Sequence, residues 1–294
     1  MLIKLPERIR GSLEGLLEDL KSRESTMGIG LFGSWSRGDA VSSSDVDLLI
    51  LDSRDFDYDY VERLGVDESF VDLNYIPEKW VRREVPPEID QRLHEAQVLF
   101  DRDGTLTKMK ELMSKIYWKP ERVDIRTESH LMEADAYMSR AKSARNMEDL
   151  QSTSVYSAIG LESLMKILIE VNRLPISNSH FIEALKDSSE MLGMEKFYND
   201  YMEIAGLLNL DKYKVEGMLN SFSTAWNSMI RFISDNASIL KTLHVKVRNK
   251  LNYYGKDSFM RGMQARSKAL FDAKQLTEAA HYMSRTLVNM LENY

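Results

Sequence analysis

The segment GLFGSWSRGDAVSSSDVDLLI, residues 30–50, constrains the fold of this chain more than any other. Its apolar runs before Gly33 and after Asp47 predict two buried strands joined by a turn-rich stretch. Asp45 and Asp47 lie two residues apart at the start of the second strand. Because side chains alternate along a strand, both would share one face, with Cα atoms roughly 6.5–7 Å apart. Two carboxylates so placed repel each other unless a cation lies between them, so the pattern indicates a divalent-metal site.

Three further residues extend this pattern. Gly33 and Ser34 directly follow the first predicted strand, where glycine permits close approach of the backbone to a ligand. The Ser34 hydroxyl and the N–H groups that open the next helix can hold phosphate oxygens. Asp72 lies in a later predicted strand, and a third carboxylate can complete a second metal site or accept a proton from an attacking hydroxyl. Alternatives without a functional role stay open: the acids could lie on a solvent-exposed strand edge, and Gly33–Ser34 could form an ordinary turn.

Composition narrows the chemistry. The chain has no cysteine and five scattered histidines, which excludes thiolate sites and argues against a histidine-rich zinc site. A metal would be held by oxygen, which favours Mg²⁺ or Mn²⁺. The net charge of −7 comes from residues 1–120, which carry 17 basic and 24 acidic side chains, and the asymmetry suggests two units. A chain with a net negative charge is not expected to bind nucleic acid, because nucleic-acid backbones are themselves negatively charged.

Neither a membrane span nor a leader is expected. No apolar run approaches the ~18–20 residues needed to cross a bilayer. The N-terminal stretch MLIKLPERIR carries charges directly after a short apolar start, unlike a secretory leader. We therefore expect a cytoplasmic protein without a membrane partner.

The pattern of elements predicts an α+β chain. A small mixed β-sheet domain is expected at residues 1–118 and an all-α helical bundle domain at residues 119–294, because strand-like runs largely vanish beyond about residue 119. The predicted elements of the first domain are helices at 6–22 and 88–96 and strands at 27–32, 45–51, 69–76 and 97–101. Those of the second are helices at 121–146, 149–173, 178–191, 195–209, 211–236, 237–253 and 273–292, with 256–264 as a loop or weak helix.

The set Gly33-Ser34, Asp45-x-Asp47 and Asp72 resembles the polymerase-β-like nucleotidyltransferase superfamily over about residues 25–110. Arg37-Gly38-Asp39, Ser44 and VDLNYIPEKW (71–80) are similar to its minimal and kanamycin-nucleotidyltransferase-like branches. The resemblance implies that Mg²⁺ or Mn²⁺ is the cofactor and that a nucleoside monophosphate, AMP from ATP, moves to a hydroxyl with release of pyrophosphate.

The same resemblance implies roles for individual residues. Asp45 and Asp47 would bind the metal, and Asp72 would be metal ligand, general base or both. The implied nucleotide-binding residues are Gly33, Ser34, Ser36, Arg37 and Ser44. The expected partners are a nucleoside triphosphate and a hydroxyl acceptor, either a small molecule or a protein; a homodimer stays open, and a nucleic-acid partner is not expected.

The helical part has a resemblance of its own. Residues 156–186 look like the bundle that accompanies minimal nucleotidyltransferases, including the C-terminal domain of kanamycin nucleotidyltransferase and the HEPN group. HEPN ribonucleases carry an arginine followed by a histidine, whereas this chain has Tyr253 at the histidine position after Arg248. The missing imidazole argues against ribonuclease activity. It leaves the alternative of a catalytically weak nucleotide-binding or regulatory module.

Overall fold

A computed structural model describes residue 5 and residues 7–41, 43–66 and 69–293. The predicted α+β class is confirmed: a five-stranded mixed sheet with its helices is followed by a long helical region. The elements up to residue 116 are α1 (Glu7–Ser22), β1 (Thr26–Phe32), α2 (Ser34–Arg37), β2 (Val46–Asp52), β3 (Tyr60–Val66), β4 (Ser69–Pro77), α3 (Glu78–Arg82), a 3₁₀ turn (Pro87–Ile89), α4 (Asp90–Glu95), β5 (Gln97–Asp101) and α5 (Thr105–Ile116).

The sheet has the order β3-β4-β2-β1-β5, in which β2 and β4 run parallel and the other neighbours run antiparallel. Strand β2 lies at its centre and is buried on both faces. Leu48 and Ile50 pack in the cluster that includes α1, and Leu49 and Leu51 pack in the cluster that includes α4 and α5. The uninterrupted apolar run of β2 follows from this double burial. The acidic start of the strand lies at one end of that core.

The helical region contains α6 (Pro120–Asn146), α7 (Leu150–Val171), α8 (Phe181–Leu192), α9 (Glu195–Ile204), α10 (Lys212–Asp235), α11 (Ala237–Leu240), α12 (Val245–Tyr254), α13 (Asp257–Asp272) and α14 (Leu276–Leu291). Helices α6 and α7 approach closely at Gly160, where an added Cβ would lie 3.1 Å from Met138 Cε and 3.3 Å from the Ala134 carbonyl oxygen. The predicted helix at 237–253 is two helices, α11 and α12. Of the stretch 256–264, expected to be a loop or weak helix, residues 257–264 belong to α13.

The chain divides into two compact units. The first comprises residues 1–119 together with 243–262, and the second comprises residues 120–242 together with 263–294. The predicted division into separate domains at residue 118 stays a prediction. The return of residues 243–262 to the first unit was not expected from the sequence, and it brings α12 and the start of α13 against β3, the edge strand beside the one that carries Asp72.

Candidate functional site

The three predicted acids face one side of the sheet in the first unit. Asp47 on β2 is the register partner of Asp72 on β4. Neighbouring strands lie about 4.8 Å apart, and register partners project to the same face, so these two carboxylates are close neighbours. Asp45 directly precedes β2, and its carboxylate shares a hydrogen-bond donor with Asp72. The convergence of acids that the spacing predicts is therefore present.

The shared donor is Arg63, which sequence reasoning missed. It lies on β3 directly opposite Asp72. Its Nε donates to Asp72 Oδ1 and its Nη2 donates to Asp72 Oδ2, both at 2.8 Å, and the same Nη2 also donates to Asp45 Oδ2. The residue is only 4% exposed. This bidentate geometry is the strongest form of an arginine–carboxylate contact.

Aromatic rings from β4, α12 and α13 surround the guanidinium. Its carbon lies 5.6 Å from the ring centroids of Phe70 and Tyr253 and 5.8 Å from that of Phe259. Cation–π attraction at such distances strengthens when the cation is desolvated. A Cβ on Gly262 would lie 2.8 Å from Arg63 Nη1, so glycine is what leaves room for the guanidinium.

Two further hydrogen bonds tie this part of the unit together. Tyr253 Oη donates to Asp72 Oδ2 at 3.1 Å. Lys256 Nζ donates to the Arg63 carbonyl oxygen at 2.9 Å. Tyr253 therefore contacts a predicted site acid in this chain.

Burial and charge act in opposite directions on this cluster. Burial raises the pKa of the Asp72 carboxyl, and the adjacent charge of Arg63 reduces but does not cancel that rise. Burial works against the charge of Arg63, but Tyr253, Asp72 and Asp45 outweigh it and raise the Arg63 pKa. The guanidinium is therefore a permanent cation, and it hydrogen-bonds two carboxylates, those of Asp72 and Asp45.

The turn after β1 lies against Asp47. Gly33 has φ 73° and ψ −154°, a conformation that only glycine adopts readily. A Cβ on Gly33 would come within 2.6 Å of Asp47 Oδ2, so the backbone approaches the carboxylate as closely as it can. Ser34 is buried and begins α2. The predicted phosphate-binding turn and the predicted metal acids are thus adjacent.

Glu95 on α4, also missed from the sequence, organises this turn. Its Oε2 accepts the Gly33 N–H at 3.0 Å and Arg37 Nη1 at 2.8 Å. The Ser36 hydroxyl donates to the Glu95 carbonyl oxygen. Ser36 and Arg37 therefore hold the turn through Glu95 in this arrangement. Whether they also touch a nucleotide stays a prediction.

Ser44 supports the loop before β2. Its hydroxyl accepts the Val41 N–H at 2.9 Å, and its carbonyl oxygen accepts Trp35 Nε1 at 3.3 Å. These contacts fix the loop that delivers Asp45. The nucleotide-binding role predicted for Ser44 stays a prediction.

A sequence signal for Arg63 exists but is weak. If Val66 and Ser69 pair across a two-residue connection, Arg63 must fall opposite Asp72, as it does. The intervening Asp67-Glu68 is not one of the turn pairs, such as Asn-Gly or Asp-Gly, that mark a tight hairpin. The sequence therefore does not determine the register between β3 and β4, and β3 itself is not among the predicted strands.

The predicted metal site fits these residues only in part. Among the described residues, no group of three or more His, Cys, Asp or Glu side chains is placed to hold a metal ion. Both oxygens of Asp72 accept hydrogen bonds from Arg63 or Tyr253, so a three-acid metal site does not fit this arrangement. Asp45 and Asp47 remain a pair of oxygen donors of the kind that Mg²⁺ prefers.

Within the described part of the chain, no helix has both the length and the apolar character needed to cross a membrane. A comparison with curated proteins gave no match. Among solved structures, the chain is similar to a nucleotidyltransferase-like protein from Exiguobacterium sibiricum 255-15, with 14% identity over 91% of this chain and 80% of that one. The TM-score is 0.39, which is too low to support a statement about function. Residues 13–130, which hold the acids and the Gly33 turn, match the family model of the nucleotidyltransferase domain, and this match supports nucleotidyl transfer as their general function.

Proposed function

We propose that this chain transfers a nucleoside monophosphate, AMP from ATP, to an acceptor hydroxyl and releases pyrophosphate. The observation that carries the proposal is the placement of Asp45, Asp47 and Asp72 on one face beside the Gly33 turn, within the segment that matches the nucleotidyltransferase domain. In this proposal the acceptor hydroxyl belongs to a small molecule or to a protein.

In the proposed reaction, the acceptor oxygen forms a bond to the α-phosphorus. The bond from that phosphorus to the bridging oxygen of the β-phosphate breaks, pyrophosphate leaves, and the hydroxyl proton is released. The chain contributes positioning and electrostatic stabilisation. The Gly33–Ser34 turn would hold the triphosphate next to the acids, with Glu95 and Arg37 fixing the shape of the turn.

Asp45 and Asp47 are the residues that would hold Mg²⁺ or Mn²⁺. Such an ion, when bound, offsets the negative charge of the phosphate oxygens. Asp72 was predicted to be a metal ligand or general base; with both oxygens hydrogen-bonded by Arg63 or Tyr253, either role would require those contacts to change.

Label transfer tests the proposal. The purified chain is incubated with α-labelled ATP, Mg²⁺ and cell extract, and the labelled product is separated and identified. The double variant Asp45→Asn/Asp47→Asn should lose transfer by at least about a thousandfold, because it removes both proposed metal ligands. The control Glu14→Gln/Glu18→Gln removes two negative charges from the exposed side of α1 and should transfer normally. Label transfer by the site double variant at the wild-type rate would refute the proposal.

A second candidate is a nucleotide-binding or regulatory module without turnover. It is favoured by the contacts of Arg63 and Tyr253, which occupy Asp72 in the present arrangement. Calorimetry with ATP and Mg²⁺, run beside a pyrophosphate-release assay with a panel of acceptors, separates the two candidates. Binding without pyrophosphate release from any acceptor would favour the module, whereas release would favour the transferase.

A further inference from the structure

We infer that Arg63 is a built-in cation that takes the place of one divalent ion. The site would then bind a single Mg²⁺ or Mn²⁺ at Asp45 and Asp47, while Asp72 anchors Arg63. This inference rests on the proposed function and specifies the metal requirement of the same site.

The first argument is the set of oxygens that Arg63 contacts. Its guanidinium binds both oxygens of Asp72 and one oxygen of Asp45, and so joins two of the three acids predicted to share metal ions. An ion bridging Asp45 and Asp72 would need an oxygen of Asp72, and both of those oxygens accept hydrogen bonds from Arg63. Arg63 and a metal ion bridging Asp45 and Asp72 therefore exclude each other.

The second argument is that the neighbouring residues fit the Arg63 guanidinium closely and hold it in one position. Three rings, those of Phe70, Tyr253 and Phe259, face the guanidinium. Lys256 fixes the Arg63 backbone carbonyl, and Gly262 leaves the space that Nη1 fills. Removing the guanidinium would leave a cavity among aromatic rings and two carboxylates without their cation. A side chain held in this way acts as a fixed part of the site.

The third argument is charge. Asp45, Asp47 and Asp72 contribute three negative charges in their ionised forms, and Arg63 contributes one positive charge. The net charge of these four side chains is then −2, which one divalent ion cancels. Two divalent ions would give the group a net positive charge before any nucleotide binds. The charge of the three acids together with Arg63 is therefore balanced by a single divalent ion.

Counting bound Mn²⁺ tests the inference. Free Mn²⁺ is measured by electron paramagnetic resonance as the ion is titrated into the purified chain, and nucleotide binding and label transfer are measured in parallel. We expect one Mn²⁺ per chain for the wild type and for Asp72→Asn. Asp47→Asn should bind Mn²⁺ at least tenfold more weakly. Arg63→Gln, which frees Asp72 and Asp45, should bind two, and Arg63→Lys, which keeps the charge, should bind one.

The outcomes separate the inference from the proposed function. Two Mn²⁺ on the wild type, falling to one on Asp72→Asn, would overturn the inference and leave nucleotidyl transfer intact. A folded wild type that binds no Mn²⁺ and transfers no label would overturn the proposed function and the inference with it. Circular dichroism checks folding; if Arg63→Gln does not fold, the wild type, Asp47→Asn and Asp72→Asn decide the question by themselves.

Discussion

Arg63 in the first unit and Arg126 in the second are buried to nearly the same degree, with 4% and 3% exposure. Each contacts a buried carboxylate. Arg126 on α6 donates through Nε to Glu170 Oε2 on α7 at 3.0 Å, and its Nη2 lies 2.9 Å from the same oxygen. In both places an arginine and an acid join neighbouring elements, so burial of an ion pair does not distinguish a functional site from a structural one.

The balance of charge does distinguish them. Glu170 is one carboxylate beside Arg126 and His130. Burial would raise its pKa, but the hydrogen bonds from His130 and Arg126 prevail and lower it. Burial raises the pKa of Asp72; the charge and hydrogen bonds of Arg63 oppose this rise without reversing it, and the charge of Asp45 adds a smaller rise. In the first cluster two carboxylates contact one arginine, and the proposed cation site depends on this excess of negative charge.

The largest expected effect tests this contrast directly. Arg126→Met leaves Glu170 buried without its arginine and should reduce the free energy of unfolding by about 3–5 kcal/mol. Arg63→Met should cost a comparable amount. Millimolar Mg²⁺ should restore part of the stability only for Arg63→Met, because only there can an ion bind freed acids. Urea unfolding with and without Mg²⁺ measures the loss of stability in each variant. Equal restoration of stability by Mg²⁺ in the two variants would show that the two clusters do not differ in cation binding.

A smaller effect is expected from a buried group of the second unit that carries no charge. His281 stacks on Phe181 with centroids 4.6 Å apart and meets Tyr201 Oη through Nε2 at 3.0 Å. Burial lowers the pKa of His281 to about 4 from its ordinary 6.5. The folded state then holds the neutral ring, and its stabilisation is complete above pH 6.5 and lost as the pH falls towards 4.

This titration should lower the free energy of unfolding by about 3 kcal/mol across that window. Urea unfolding at a series of pH values between 7 and 4 measures the loss. His281→Gln, which stays neutral, should give a distinctly shallower pH dependence. An unchanged slope in this variant would show that other groups cause the acid sensitivity.

The next effect concerns the turn that touches Asp47. Gly33→Ala should destabilise the chain by about 2–3 kcal/mol and impair label transfer, because the backbone conformation is strained for alanine and its Cβ would collide with the carboxylate. Gly38→Ala is the matched control. Gly38 also has a positive φ, 88°, but an added Cβ has nothing within 4 Å, so the cost should be about 1 kcal/mol. Equal losses of stability and transfer would remove the special role of Gly33.

The smallest effect concerns Tyr253. Tyr253→Phe keeps a ring over Arg63 and removes only the hydroxyl that donates to Asp72, so a loss of about 1–2 kcal/mol is expected. Tyr213→Phe alters a side chain that is 86% exposed and should stay within about 0.5 kcal/mol of the wild type. Thermal unfolding of both variants compares them. If Tyr253→Phe is as stable as Tyr213→Phe, the hydrogen bond from α12 to Asp72 contributes nothing measurable to stability.

The grouping of Asp45, Asp47 and Gly33 was predictable because it follows from local rules. The alternation of side chains at the start of β2 and the apolar body of the strand are both visible in a few residues of sequence. Asp72 was predictable as strand-borne, since β4 ends at Pro77 and its apolar run is clear. The mixed sheet itself followed from the alternation of strands and helices.

Arg63 was not predictable because its position depends on pairing across β3 and β4, and no turn signature fixes that register. The role of residues 243–262 was not predictable because it depends on packing between segments far apart in sequence. Gly262 illustrates the difficulty. Within a sequence, glycine argues against a helix, whereas in α13 it makes room for the Arg63 guanidinium.

The return of α12 to the first unit has a consequence for the order of folding. Tyr253 and Asp72 are separated by 181 positions, and Lys256 and Arg63 by 193. A growing chain therefore displays its acids and Arg63 long before the ribosome has made Tyr253 and Phe259, two of the three rings around the guanidinium. Contacts of such long range slow folding, because loop closure must precede the gain from the contact. The sheet can form early in synthesis, whereas Arg63 can be fully enclosed only after residues 243–262 have been made.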